Sequence, residues 1–109
     1  MENELQVLYK TIVDRKQSAE VGSYTAYLYE KGIEKILKKV GEECTEVIIA
    51  SMKENNNDEV VNDLSDLFYH LFVLMAEKGI SLDDVNEELN KRSKKKGNLK
   101  PERKPIDNL

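Results

Sequence analysis

Two pairs of acids carry the chemistry this sequence offers. Glu43 and Glu46 stand three residues apart, and so do Asp63 and Asp66. On a helix that spacing puts both members of a pair on one face. Oxygen is the only donor these four supply, and a single cysteine (Cys44) and a single histidine (His70) cannot build a thiolate or paired-imidazole site. Four carboxylates in one patch repel, at a cost of about 4 kcal/mol for two unit charges about 4 Å apart at an effective dielectric of about 20. Some of them are protonated, or they splay into water, or a cation sits between them. Oxygen ligands select a hard cation, Mg2+ or Mn2+. A Mg2+ ion held by helix carboxylates keeps positions for water and phosphate oxygens, which points to a phosphate-bearing substrate. Taken singly, each acid reads as an ordinary solvent-facing residue of an amphipathic helix; only a match in face and height would set the four apart.

That match depends on the elements that carry them. Ile33, Ile36, Leu37, Val40, Cys44, Val47 and Ile48 form one stripe at helical spacing and predict a long helix over residues 33–53. A second long helix is predicted over 58–78, with Val60, Val61, Leu64, Leu67, Phe68, Leu71, Phe72 and Met75 on its apolar side. The polar, Asn-rich stretch 54–58 breaks the two. Joined so shortly, they are expected to pack as an antiparallel hairpin, stripe to stripe. With each stripe at zero and 100° per residue, Glu43 and Glu46 fall at about −70° and −130°, Asp63 and Asp66 at about −100° and −160°. All four then lie on one side of the hairpin. Positions 43 and 66 share a midpoint with 46 and 63, close to the turn, so the two pairs are expected to face each other level.

Shorter helices complete an all-α chain. One is predicted over residues 3–16 from Leu5, Leu8, Tyr9, Ile12 and Val13; another over 24–31, capped by Ser23 and stopped by Gly32. After Gly79, Ser81 caps a last helix with Val85 and Leu89 facing inward. Ile49 and Val73 fall on the backs of the long helices, so the expected fold is an antiparallel bundle around the hairpin, completed by a second copy as a homodimer or higher homo-oligomer.

Several neighbours of the acids could join them. Lys35 and Lys39 share the carboxylate flank and could meet phosphates, while Lys38 points elsewhere; pairing of these lysines with Glu34 or Glu43 along the helix is the plainer reading. Glu42 adjoins the first pair and could support the ligands from behind or face solvent, the first being the preferred reading. His70 lies one turn past Asp66, where it could orient that carboxylate or a phosphate, although a lone histidine is more often just hydrogen-bonded. Cys44 reads as a small buried hydrophobe, and Gly41 as a point of close approach.

Composition bounds the rest. A chain of 109 residues, 39% hydrophobic and 35% charged, makes one domain with a core. No apolar run nears the roughly 20 residues of a membrane span. The acidic start, residues 1–4, is unlike a signal peptide, and the single cysteine makes no internal disulfide, so a cytoplasmic setting is expected. Residues 91–109 hold eight of the 17 basic residues and two acids, which divides the chain into a helical domain, 1–93, and a basic tail, 94–109. An acidic body with such a tail does not suit duplex DNA, and no nucleic-acid partner is expected.

Glu43-Cys44-Thr45-Glu46 followed by Asp63-Leu64-Ser65-Asp66 resembles the ExxE…ExxD motif of the all-α NTP pyrophosphatases, the MazG-like superfamily. Ser23-Tyr24-Thr25-Ala26-Tyr27-Leu28, the run Lys35-Ile36-Leu37-Lys38-Lys39-Val40-Gly41-Glu42-Glu43 and the stretch from Asp66 through His70 to Leu74 resemble the phosphoribosyl-ATP pyrophosphatase family of histidine biosynthesis, over about residues 5–92. Asp63 stands where that family usually has Glu, and Cys44 where Ala is common. The resemblance implies Mg2+-dependent hydrolysis of the α–β phosphate bond of 1-(5-phosphoribosyl)-ATP to phosphoribosyl-AMP and pyrophosphate, by a dimeric enzyme. It implies Glu43, Glu46, Asp63 and Asp66 as the metal ligands, with Glu43 and Glu46 catalytic and Glu46 the base. Lys35, Lys39 and Arg92 would contact phosphates, and Ser23, Tyr24 and Thr25 would help form the nucleotide pocket. A house-cleaning pyrophosphatase acting on free dNTPs would share the metal site; a non-catalytic helical adaptor, gripping a partner through the basic tail, would not need it.

Overall fold

Asn3 opens the chain's first helix with a reciprocal cap: its side chain accepts from the Gln6 amide at 2.9 Å, and the Gln6 side chain accepts from the Asn3 amide at 2.8 Å. The computed structural model describes residues 2–18 and 23–95. Five helices follow in order: α1 (Glu4–Gln17), α2 (Tyr24–Lys31), α3 (Ile33–Ser51), α4 (Asn57–Lys78) and α5 (Leu82–Ser93), with no strand among the described residues. The expected caps are in place. Ser23 accepts from the Ala26 amide at 3.2 Å, and Ser81 and Asp84 close a second reciprocal box. Gly32 and Gly79, at φ +88° and +72°, end α2 and α4 in backbone conformations that cost a side-chain residue more than glycine. No helix among the described residues is long and apolar enough to cross a membrane.

α3 and α4 form the antiparallel hairpin and share the largest contact in the chain. The core lies at one end of it. Ile12, Leu28, Ile36, Phe72, Val73 and Ala76 are buried together, so α1 and α2 cover the start of α3 and the close of α4. Polar anchors fix that cover. The Tyr29 hydroxyl donates to the Ile12 carbonyl at 2.8 Å and Tyr9 to the Ile80 carbonyl at 2.5 Å, while Lys16 Nζ donates to the Ala76 carbonyl at 3.3 Å near the close of α4.

The hairpin does not pack stripe to stripe. On α3 the buried residues are Ile36, Glu43 and Ala50, spaced by seven, and on α4 they include Asp63, His70 and Val73. Two helical turns separate residues seven apart, so these positions run down one line, and that line is the seam. Much of the broad apolar stripe looks outward: Leu37 is 50% exposed and Ile48 62%. The broadest apolar stripe predicts the wrong flank for the seam, because periodicity does not say which surface an apolar face meets. Val73, expected on the back of its helix, is a core residue, whereas Ile49 is exposed as expected. Val85 and Leu89 do not face inward either; no residue of α5 is buried. A Cβ at Gly41 would meet nothing within 4 Å, so no close approach explains that glycine within this chain, and Cys44 is half-buried rather than buried.

Candidate active site

With the seam on the acid flank, Glu43 and Asp63 are buried between the helices, while Glu46 and Asp66 stay exposed. Glu43 is 8% exposed and Asp63 7%. Burial of an ionised carboxylate is costly unless a partner compensates it. Glu43 has one, since Lys39 Nζ lies 3.6 Å from its Oε1 and 3.3 Å from Glu42 Oε2. Burial alone would lower the Lys39 pKa, but its hydrogen bond to Glu42 and the nearby Tyr24, Glu42 and Glu43 hold it above the usual lysine value. Asp63 has no hydrogen bond or ion pair with any described residue. It faces a cleft of about 370 Å3 at the turn end of the hairpin, lined also by Glu46, Ala50, Lys53, Asn56 and Glu59.

The four motif acids are not equivalent in this arrangement. Glu46 and Asp63 share the cleft, Glu43 lies deeper along the seam with Lys39, and Asp66 is exposed outside the cleft lining. Among the described residues, no three acid, histidine or cysteine side chains converge closely enough to hold an ion by themselves. The donor set nevertheless fits Mg2+, which keeps several waters and typically takes only one or two carboxylates alongside substrate phosphates. A buried, unpartnered aspartate beside a glutamate from the facing helix is such a pair.

At the other end of the acid line, α2 reaches α4 through an aromatic group. His70 is 5% exposed, and its Nδ1 lies 2.7 Å from the Asp66 carbonyl. A carbonyl only accepts, so in the neutral ring Nδ1 carries the proton and Nε2 is left to accept from the Tyr24 hydroxyl at 3.0 Å. His70 therefore holds the Asp66 backbone, not its carboxylate. Tyr24 stacks between Tyr27 and Tyr69, with centroids 6.1 Å apart on each side. Burial raises the Tyr24 pKa against the opposing pull of Lys39. Thr25 is buried and its hydroxyl pairs with that of Tyr69. Ser23 caps α2 and accepts from Arg15 Nη1 at 3.3 Å.

The remaining expected contacts fall apart from the cleft. Lys35 is half-buried on α3, and Glu42 is exposed and joined to Lys39. Arg92 pairs with Glu88 on α5 at 3.0 Å and lines a separate shallow groove with Val85 and Leu89. The basic tail lies outside the described residues from position 96 onward. Two cleft residues went unnoticed in the sequence, Lys53 and Glu59. The signal was present, because Lys53 continues the line of Glu46 by two turns and Glu59 precedes Asp63 by one.

Comparison with known proteins gives the family. The family model described as phosphoribosyl-ATP pyrophosphohydrolase matches residues 5–93. The phosphoribosyl-ATP pyrophosphatase of Clostridium novyi (strain NT) is 54% identical over 105 residues, covering 96% of this chain and 94% of its own length. That of Bacillus cereus (strain B4264) is 53% identical over 109 residues, all of both chains. The Listeria welshimeri protein of the same name is 56% identical over 105 residues, covering 96% of this chain and 99% of its own. A match that runs through all five helices at this identity leaves one assignment: the chain belongs to the phosphoribosyl-ATP pyrophosphohydrolase family.

Proposed function

We propose that this chain hydrolyses the α–β phosphate bond of 1-(5-phosphoribosyl)-ATP to phosphoribosyl-AMP and pyrophosphate in histidine biosynthesis, with Mg2+ as cofactor. The observation that carries the chemistry is the buried, unpartnered Asp63 sharing a cleft with Glu46 of the facing helix. Family membership supplies the substrate. Glu43, Glu46, Asp63 and Asp66 are the ligand set we assign to the metal, Glu46 and Asp63 foremost. Bound Mg2+ would draw charge from the phosphate oxygens while the anhydride breaks. The protein's own part is to hold the triphosphate and take a proton. A water oxygen bonds to phosphorus, the bridging P–O bond breaks, its electron pair leaves with pyrophosphate, and the water's proton passes to a carboxylate. Glu46 is our choice for that base, through the oxygen that a bound ion would leave free, since it is exposed within the cleft and makes no ion pair with described residues. Lys39, although paired with Glu42 and Glu43, is assigned to the phosphate nearest the nucleoside, and Tyr24, with the Ser23 and Thr25 that fix α2 around it, to the nucleotide.

A homodimer in the cytoplasm completes the reading. The outward stripe of α3 and α4, including Leu37, Ile48, Ile49, Val61 and Phe68, is the surface we assign to a second copy. Sedimentation should give a dimer for the wild type and a monomer for Ile48→Asp. Pyrophosphate release from phosphoribosyl-ATP, with Mg2+ and then with a chelator, tests the activity. Equal turnover of ordinary dNTPs would favour the house-cleaning reading, and no turnover of either would overturn the enzyme.

A further inference from the structure

The seam between α3 and α4 has a cation at each end, and the two differ in their pairing. Lys39, toward α2, is held by Glu42 and Glu43. Lys53, just past the close of α3, lines the cleft with Glu46, Glu59 and Asp63, yet its ammonium has no hydrogen bond or ion pair with any described residue. Asp63 faces the same space, more than nine-tenths buried and equally unpartnered. Three carboxylates against one ammonium repel a bare anion but attract an anion that arrives with a divalent cation. The α2 end has another character, for there the half-exposed Tyr24–Tyr27 pair presents aromatic edges, with Lys31 Nζ 5.8 Å from the Tyr27 ring centroid and no acid in the stack.

We propose that the substrate lies along the seam in one direction, with its pyrophosphate end at the turn of the hairpin in the grip of Lys53 and its nucleoside end toward the Tyr24 stack. This rests on the substrate reading above and adds a polarity and a positioning residue to it. Lys53 meets the leaving group as it departs, while Lys39, already engaged by two carboxylates, has less left to offer a phosphate.

Product binding reads the polarity directly. Calorimetry with inorganic pyrophosphate plus Mg2+, and separately with AMP, should show Lys53→Ala weakening pyrophosphate about tenfold, the worth of one charge-assisted hydrogen bond, and leaving AMP unchanged. Lys53→Arg should restore pyrophosphate binding, and Tyr24→Ala should show the reverse pattern. Lys53 is exposed, so its variants should keep the wild-type helical spectrum. Unchanged pyrophosphate affinity in Lys53→Ala, or an equal loss for both products, overturns the polarity while a hydrolysing wild type leaves the function standing. A wild type that neither hydrolyses phosphoribosyl-ATP nor binds pyrophosphate overturns both.

Discussion

The two ends of the hairpin differ in what they bury. Toward α1 and α2, the seam closes over Ile12, Leu28, Ile36 and Val73, all almost fully buried. Toward the turn it opens into a cleft that three carboxylates and a lysine share with Ile49, Ala50 and Asn56, while Ile48, Met52 and Val61 face outward nearby. The closed end supplies stability by removing apolar surface from water; the open end keeps charges in reach of water and ligand, at the expense of packing. A single pair of helices can do both because its buried positions are large and apolar near α2, and toward the turn they are the small Ala50 and the acid Asp63.

The contrast can be broken from either side. The largest effect is expected at the closed end, where Leu28→Ala should lose about 2–5 kcal/mol of stability in urea denaturation. At the open end Asp63→Asn should lower turnover about 100-fold or more, with the helical signal unchanged and the metal-free melting temperature close to wild type, because the Asp63 carboxylate opens on the cleft and pairs with no described residue. A melting temperature well below wild type would make Asp63 a structural residue instead. Tyr24→Phe removes the hydroxyl that ties α2 to His70 and should lose about 1 kcal/mol of stability. The smallest effect concerns pH at the closed end. Burial first, then the nearby Glu77 charge, pushes the Tyr29 pKa from 10.0 up to about 12. A raised pKa favours the protonated folded state, so this contribution is complete below pH 10.0 and is lost as pH rises through about 12. Tyr29→Phe should flatten that alkaline part of the stability curve.

Much of this frame is legible in the residues alone. Caps are local chemistry, so Ser23, Gly32, Gly79 and Ser81 mark helix ends without knowledge of the fold. The hairpin is equally plain from two long stripes and a polar break. The inward face was not legible, because periodicity reports that a stripe is apolar without saying whether it meets a helix of the same chain or another surface. Ile36 and Ile48 belong to one stripe, yet the first is core and the second exposed. For the same reason Val73 was placed outside and Leu89 inside. The acids divide between the two surfaces: Glu43 and Asp63 are buried along the seam, whereas Glu46 and Asp66 are exposed. Lys53 and Glu59 were passed over because they border a turn, where charge is usual and calls for no explanation.

The turn itself has a consequence for how this chain tolerates change. Asn55, at φ 55°, is the one described residue other than glycine in the left-handed region, a conformation asparagine accepts more readily than most residues. Asn56 closes the corner by donating its side-chain amide to the Ala50 carbonyl at 3.0 Å. The bend therefore acts as a ruler for everything downstream. One inserted residue absorbed into the start of α4 would rotate the helix by about 100° and slide it by about 1.5 Å, carrying Asp63 out of the cleft and Phe72, Val73 and Ala76 out of the core together, so a length change here should cost activity and stability at once.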